Sequence, residues 1–530
     1  MAKKEILVLL IILVIASFLR FYKIDAIPNG LLTEESTNGT TAQNVLATGD
    51  YKFYYPENGG HEGLFVALQS FSIKIFGSNA FALRFFPAII GILTILGLFL
   101  LVRELFNWQI AATSGFLMSI SFWHLNFSRL GLSAIFVPFF LVFALYFMWH
   151  GLKRNSYASF VISGIFGGLG FYSNSSFWFA PVIAILVFWN YWAYLKADFF
   201  YSKYEYARNK MLKGFTVLSL VTIIVALPIW IYFWIHPADL FNEMGSTASS
   251  ISQQYSLNSL VESKIRTLGM INFSGDSNPT HNVPGTPMFS WPLGILFVIG
   301  FIKELIHWLK RKHGHFPVTH TLLIGWFVFM LCPGFFSVGA PDALVTLGVL
   351  PVLVIFAARG MWWIFESLNK WESAFKPSQI SKHGLHIAPL LTIIILLASI
   401  GFVEGWKYFI NFANNAQIEK QLNMNLISAG NYLNQQNSKI KKYVVFNRDN
   451  TTEDGLPASS ATVKFISESY NTAEAESKNI RYLSSDKLSS VRFPAHFVLI
   501  PINKNTIINN IIVNNNLTSK NYENIQVYIK

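Results

Sequence analysis

Apolar runs long enough to cross a bilayer recur along most of the chain, and they restrict its fold more than any other feature. They fall near residues 5–22, 83–102, 109–125, 131–150, 156–173, 176–195, 214–235, 290–308, 317–336, 342–366 and 387–408. About 20 such residues suffice for one helical span, so these read as about eleven transmembrane helices. Only 13% of the 530 residues are charged, where soluble chains carry about 25%, and the mean hydropathy is +0.41. The expected fold class is an all-α polytopic membrane protein. No small-residue cleavage site closes the first run, which is therefore read as an uncleaved helix. Cys332 is the one cysteine, which excludes an internal disulfide and disfavours a cysteine-based metal site.

Cations fix the expected orientation. Lys3, Lys4, Arg103, Lys153, Arg154 and the group from Lys196 to Lys213 fall on alternate connections, and the opposite connections carry far fewer. By the positive-inside rule the N-terminus is cytoplasmic, and with an odd number of spans the tail after 408 is extracytoplasmic. The net charge of +12 then reflects topology and implies no nucleic-acid partner. Loops 23–82 and 236–289 lie outside, with short amphipathic helices expected at 37–50 and 62–76 along the outer interface. The domain boundary is drawn at 410/411. In the tail, strands are expected at 442–446, 497–500 and 525–529, and helices at 459–470 and 506–513. That alternation describes a small α/β domain.

Four polar clusters fall on the expected outer face. Glu34 and Glu35 directly follow the first apolar run, and a carboxylate pair beside lipid needs a partner or a task. One carboxylate can act as a general base; an ion pair with Arg20 or Lys23 is the structural alternative. His61 and Glu62 follow a Gly59-Gly60 turn and suit a cation or polar substrate, or simple solvation. In Trp123-His124-Leu125-Asn126-Phe127-Ser128-Arg129, the planar fork of Arg129 suits phosphate, or else anchors the chain at headgroups. Asp276, His281 and Asn282 project from a Gly/Pro-rich loop that ends before the helix at 290. Polar residues at the rim favour chemistry at the outer interface over passage across the membrane, which places polar groups near the midplane.

The order of these motifs resembles a known family. A carboxylate pair after the first helix precedes Asn58-Gly59-Gly60-His61-Glu62, Ala82-Leu83-Arg84-Phe85, Arg103-Glu104-Leu105-Phe106, the His124–Arg129 motif, His236-Pro237, Gly275-Asp276 and His281-Asn282. Over about residues 5–360 the chain resembles the GT-C membrane glycosyltransferases of family 39, in the bacterial branch related to protein O-mannosyltransferases and lipid A aminoarabinose transferase. The resemblance implies a plasma (inner) membrane enzyme that moves a sugar, with inversion, from a polyprenyl-phosphate donor to a protein, lipid or polysaccharide acceptor. It places Glu34 at the catalytic acid's position beside Glu35. It places Arg129, with Arg84 and Lys52, at the donor phosphate. His124, Asp276, His281 and Asn282 border the donor, and Glu62 and His61 orient substrate or a cation. No cofactor is required; a divalent metal on Glu34, Glu35, His61 and Glu62 would replace missing cations. Glu34 stands where the family has Asp, and Ser133, Thr280 and Val345 stand where relatives carry Arg. Asp342 stands where they carry His. These departures keep two other functions open: an impaired relative that binds lipid-linked glycan, or a lipid-linked sugar flippase.

Overall fold

The computed structural model describes the chain apart from residues 58–59, 199–200, 244–256, 311–316, 338, 376–386, 448–454 and 504. Gly59 of the expected turn lies outside the described residues. Among those described, eight helices have the length and apolarity of membrane spans: 80–105, 133–154, 175–196, 204–235, 291–309, 318–335, 347–372 and 389–412. The chain is a multi-pass membrane protein with a small α/β region at its C-terminal end. The three other expected spans are helical but less simple. Lys3–Phe21 carries Lys4, Glu5 and Arg20. The run at 109–125 breaks into Trp108–Ile120 and Phe122–Phe127, and Tyr157–Leu169 has only 13 residues. The span expected from 342 begins at Leu347, which leaves Asp342 in a loop.

The chain divides into two compact units. One comprises 1–22, 87–129 and 133–412; the other comprises 23–86, 130–132 and 413–530. The first long loop and the C-terminal segment therefore share a unit, a long-range association that composition does not encode.

In the first unit, glycines set the helix spacing. Gly300 and Gly360 each lie directly on the other helix's backbone, at Phe356 O and Leu296 O, so neither position has room for a side chain. Membrane helices lack a hydrophobic drive toward one another and gain instead from this close approach. The same helices bury Glu304, which accepts from Arg359 Nε at 2.6 Å and pairs with His320 Nδ1 at 2.5 Å. That triad ties Trp291–Leu309, Val318–Phe335 and Leu350–Phe375 together.

The second unit contains two sheets. A short antiparallel hairpin pairs β1 (Tyr54–Tyr55) with β2 (His61–Glu62). The larger sheet has β3 (Lys441–Phe446), β4 (Ile480–Ser484), β5 (Phe497–Pro501), β6 (Thr518–Tyr522) and β7 (Ile525–Ile529), in the order β4-β3-β5-β7-β6. β3 runs parallel to β4 and β5, and β7 is antiparallel to β5 and β6. Alternation along β3 sends Val444 and Phe446 to a core with Leu426 and Leu433. Tyr443 and Val445 go to the other face with Leu499 and Ile508. The sequence pattern reveals three of these five strands. β6 is exposed and polar (Thr-Ser-Lys-Asn-Tyr), and β4 is an edge strand interrupted by Arg481, so neither carries an apolar run.

The helix expected at 37–50 starts earlier, at Thr33, and its buried face is small and polar: Ser36, Thr37, Asn38, Gly39 and Gln43. It is therefore not an interfacial helix with an apolar stripe. Gly39 lies against the Phe465 ring, Gln43 Nε2 donates to Phe465 O at 2.9 Å, and Thr462 Oγ1 donates to Ser36 Oγ at 2.9 Å. The helix thus docks on Ser460–Ile466 of the C-terminal segment. Gly63–Phe76 does have the expected two-sided character, with Phe65, Val66 and Ile73 buried and Phe71 and Ile75 exposed.

Candidate functional site

The carboxylate pair occupies the first turn of the helix Thr33–Thr48, where the helix dipole favours negative charge. The two residues have different surroundings. Glu35 is fully buried. Its Oε2 accepts from Leu32 N at 3.0 Å, closing the helix start. Arg84 grips both its oxygens, Nε to Oε1 at 2.9 Å and Nη2 to Oε2 at 3.1 Å, and Gly131 N donates to Oε1 at 2.7 Å. Arg84, equally buried, spends its remaining N–H groups on Ile24 O, Pro28 O and Gly30 O. The ion-pair partner of Glu35 is thus Arg84, at the start of the helix Ala80–Leu105, where Arg20 or Lys23 was the expected alternative. Gly30 makes this possible: its φ is +110° and an added β-carbon would fall on Leu422 O, a place only glycine fits. Glu34, by contrast, is exposed. A burial difference of this size between adjacent residues follows from the 100° turn of a helix and is not legible while 29–36 is read as a loop.

In the same unit, Lys52 is half-exposed and pairs with Asp50 at 3.2 Å, which raises its pKa. His61 faces Tyr55 across the hairpin and is buried. Its Nε2 has no hydrogen-bond partner among the described residues, and burial pushes its pKa down to about 4. Glu62 precedes Gly63–Phe76 as its N-cap residue. Because His61 is neutral in the fold, the unfolded chain binds more protons between about pH 4 and its ordinary value near 6.5. Stability is then fully present above about 6.5 and falls as the pH drops toward 4, by at most about 3 kcal/mol. A thermal midpoint that declines from pH 7 to 4.5, with part of the decline removed in His61→Gln, is the expected result.

In the other unit, the remaining expected residues converge around the break at Ser121. Arg129 is fully buried and does not snorkel. Its Nη1 donates to Leu19 O and Arg20 O (2.6 and 2.9 Å), its Nη2 to Tyr22 O (2.8 Å) and its Nε to Tyr408 Oη (3.0 Å). It thereby satisfies the carbonyls left open at the end of Lys3–Phe21, an end whose partial negative charge favours a cation. Arg20 donates to Ser119 O at 2.7 Å and to His124 Nδ1 at 2.8 Å. An arginine always donates, so His124 carries its proton on Nε2. Asn126 Nδ2 donates to Thr280 O (2.9 Å) and His281 O (3.2 Å), which joins this motif to the 276–282 loop. There Asp276 Oδ2 accepts from Ala343 N and lies 2.7 Å from His281 Nδ1. Asn282, fully buried, donates to Thr286 O at 2.7 Å.

Among the described residues, the acidic and imidazole groups with converging ligand atoms are Asp276, His281 and Asp342, all within 4.8 Å of one another. The expected set of Glu34, Glu35, His61 and Glu62 does not form such a group. Asp342 Oδ1 also caps Leu344 N and Val345 N. These bonds account for the three residues as a loop clamp.

Glu404 was not among the expected site residues. It is fully buried, and its two oxygens accept from Phe122 N at 2.6 Å and Ser290 N at 3.0 Å. One carboxylate on the last span thus holds the starts of two helices that flank the polar loops. The available signal was a lone acid in the apolar run 387–408. Glu404→Gln leaves one acceptor where two are needed and turns an N–H toward a backbone N–H. The expected loss is about 2–3 kcal/mol, read as a lower unfolding midpoint in detergent.

This arrangement of spans, with helices in the first loop and a C-terminal α/β region, is the GT-C fold of membrane glycosyltransferases. The family model of dolichyl-phosphate-mannose-protein mannosyltransferases matches residues 63–232. ArnT from Cupriavidus metallidurans, solved bound to undecaprenyl phosphate, superposes with a TM-score of 0.58 at 12% identity, over 100% of this chain and 98% of that one. The Archaeoglobus fulgidus oligosaccharyltransferase AglB, solved with an inhibitory peptide and a dolichol-phosphate, gives a TM-score of 0.54 at 14% identity, over 92% of this chain and 70% of its own. No curated protein matches the chain in sequence.

Proposed function

We propose that this protein is an integral-membrane glycosyltransferase that moves a sugar from a polyprenyl-phosphate donor to an acceptor at the extracytoplasmic surface. The observation that carries the proposal is the asymmetric carboxylate pair. Glu35 is locked by four hydrogen bonds, and that lock fixes the helix turn on which the exposed Glu34 stands. Preorganisation of this kind is what a general base requires.

In the proposed reaction Glu34 takes the proton from the acceptor's hydroxyl or amine. That atom attacks the anomeric carbon from the face opposite the phosphate. The C–O bond to the lipid phosphate breaks, the configuration inverts, and polyprenyl phosphate leaves with the bonding pair. Arg84 and Arg129 are positioning residues here, because Arg84 bonds Glu35 and the carbonyls of residues 24–30, and Arg129 bonds Tyr408 and the carbonyls that end Lys3–Phe21. Of the three cations expected at the donor phosphate, Lys52 keeps the most exposed charge, and it is assigned that contact. Among four membrane helices of the first unit lies a cavity of about 760 Å³, lined by apolar residues that include Leu141, Met148, Phe188, Leu220 and Trp230.

The test is a panel of polyprenyl-phosphate and polyprenyl-pyrophosphate sugars given to the protein in lipid nanodiscs. Turnover of a monophosphate donor, with polyprenyl phosphate released in step with sugar transfer, is expected. Saturable binding of donors without any turnover would instead assign a lipid-glycan binding protein, the function that Ser133, Thr280 and Val345 favour. Donor movement across a vesicle membrane without sugar transfer would assign a flippase.

A further inference from the structure

The C-terminal segment holds a second cavity that the transfer chemistry does not use. It has a volume of about 620 Å³, within the roughly 300–1,000 Å³ typical of small-molecule sites. It lies beside the edge strand β4, where β3 and β4 begin. Its described lining carries four cations, Lys441, Lys442, Lys464 and Arg481, against one carboxylate, Glu476. Tyr470 and Tyr482 supply aromatic surface, and Asn471 and Asn479 supply amides.

The walls are built rather than incidental. Tyr482 Oη is held by Ser469 Oγ at 2.5 Å and Ser467 Oγ at 3.1 Å. Burial pushes this phenol up to about 12, so it stays protonated. Lys464 Nζ lies 5.8 Å from the centre of the Tyr482 ring. Lys442 is buried, and its ammonium donates to Asn437 O at 2.9 Å and Lys478 O at 2.7 Å, which fixes its side chain beside the pocket lining.

Net positive charge selects an anion. Tyrosine faces beside amides select a ligand with an apolar face and a polar rim, which is the character of a pyranose ring. We propose that this pocket binds an anionic saccharide, a sugar bearing carboxylate or phosphate groups, independently of the polyprenyl-linked donor.

The experiment uses the full chain in nanodiscs, without donor, and measures binding calorimetrically. The probes are a galacturonate oligomer, a hexose 6-phosphate, a neutral malto-oligosaccharide of matched length and inorganic phosphate. Saturable binding of one or both anionic sugars is expected, and which one binds identifies the acidic group. The affinity should fall about tenfold in Arg481→Ala and again in Tyr470→Ala, since one charge-assisted contact is commonly worth that much. It should weaken in high salt and be unchanged in Lys520→Ala, on the opposite edge strand. The thermal midpoint reports that each variant is folded. Three results would overturn the proposal: equal affinity for the neutral oligosaccharide, binding of inorganic phosphate as tight as that of the sugars, or anionic binding indifferent to both lining substitutions in folded protein.

Discussion

Glu34→Gln should lower sugar transfer by about 10²- to 10⁴-fold, the contribution usual for a positioned general base, while leaving the protein folded. The second half of that expectation comes from the structure. Glu34 is exposed, and the buried bonds that close the helix start are made by Glu35, so an amide at 34 leaves those bonds in place. Glu34→Asp separates charge from reach. It keeps the carboxylate and withdraws it by about one methylene, to the length that the family resemblance makes usual. Displacements near 1 Å can cost on the order of 10²-fold, so Asp should fall between wild type and Gln if the pocket is fitted to Glu. The measurement is single-turnover transfer with saturating donor. Unchanged transfer in Glu34→Gln would remove Glu34 from the chemistry, whatever the donor panel shows.

The largest effect on stability is expected at Arg84. Arg84→Ala leaves the Glu35 carboxylate buried without its counter-ion and strips a donor from Ile24 O, Pro28 O and Gly30 O. Breaking one side of a buried ion pair typically costs about 3–5 kcal/mol, a large share of the stability of a small unit. Arg84→Lys should rescue little, because an ammonium cannot place two parallel N–H bonds on one carboxylate. The diagnostic is a double-mutant cycle on the unfolding midpoint. Arg84→Met with Glu35→Leu should be less destabilised than Arg84→Met alone, since the double change removes both charges. A double variant worse than the sum of its parts would show that the pair is not the source of the effect. Loss of transfer in the Arg84 variants should track loss of folded protein, unlike the loss in Glu34→Gln.

The difference between Glu34 and Glu35 also shows how far residues alone could be read. Adjacent acids after a membrane run are conspicuous in the sequence, and so is the need for a partner. That Arg84 holds Glu35 depends on a helix beginning at Thr33 and on an arginine 49 residues away. Arg129 repeats the pattern. Its guanidinium suggests phosphate, but only the packing shows it closing the end of the first helix together with Tyr408, 279 residues away. Glu404 was visible as a charge out of place in an apolar run, yet its task is set by two backbone N–H groups from distant segments.

By itself the sequence determined what local composition determines. Apolar runs dictate helices because lipid cannot satisfy a backbone. Most β-strands of the tail followed from apolar or β-branched runs, and the rim clusters stood out against a chain poor in charge. The tertiary structure alone decided which polar side chains are buried holding loops and helix ends and which are exposed. It also decided that residues 23–86 and 413–530 form one unit. Both outcomes rest on contacts between segments from 49 to 426 residues apart, and such contacts leave no periodicity in the chain to be read.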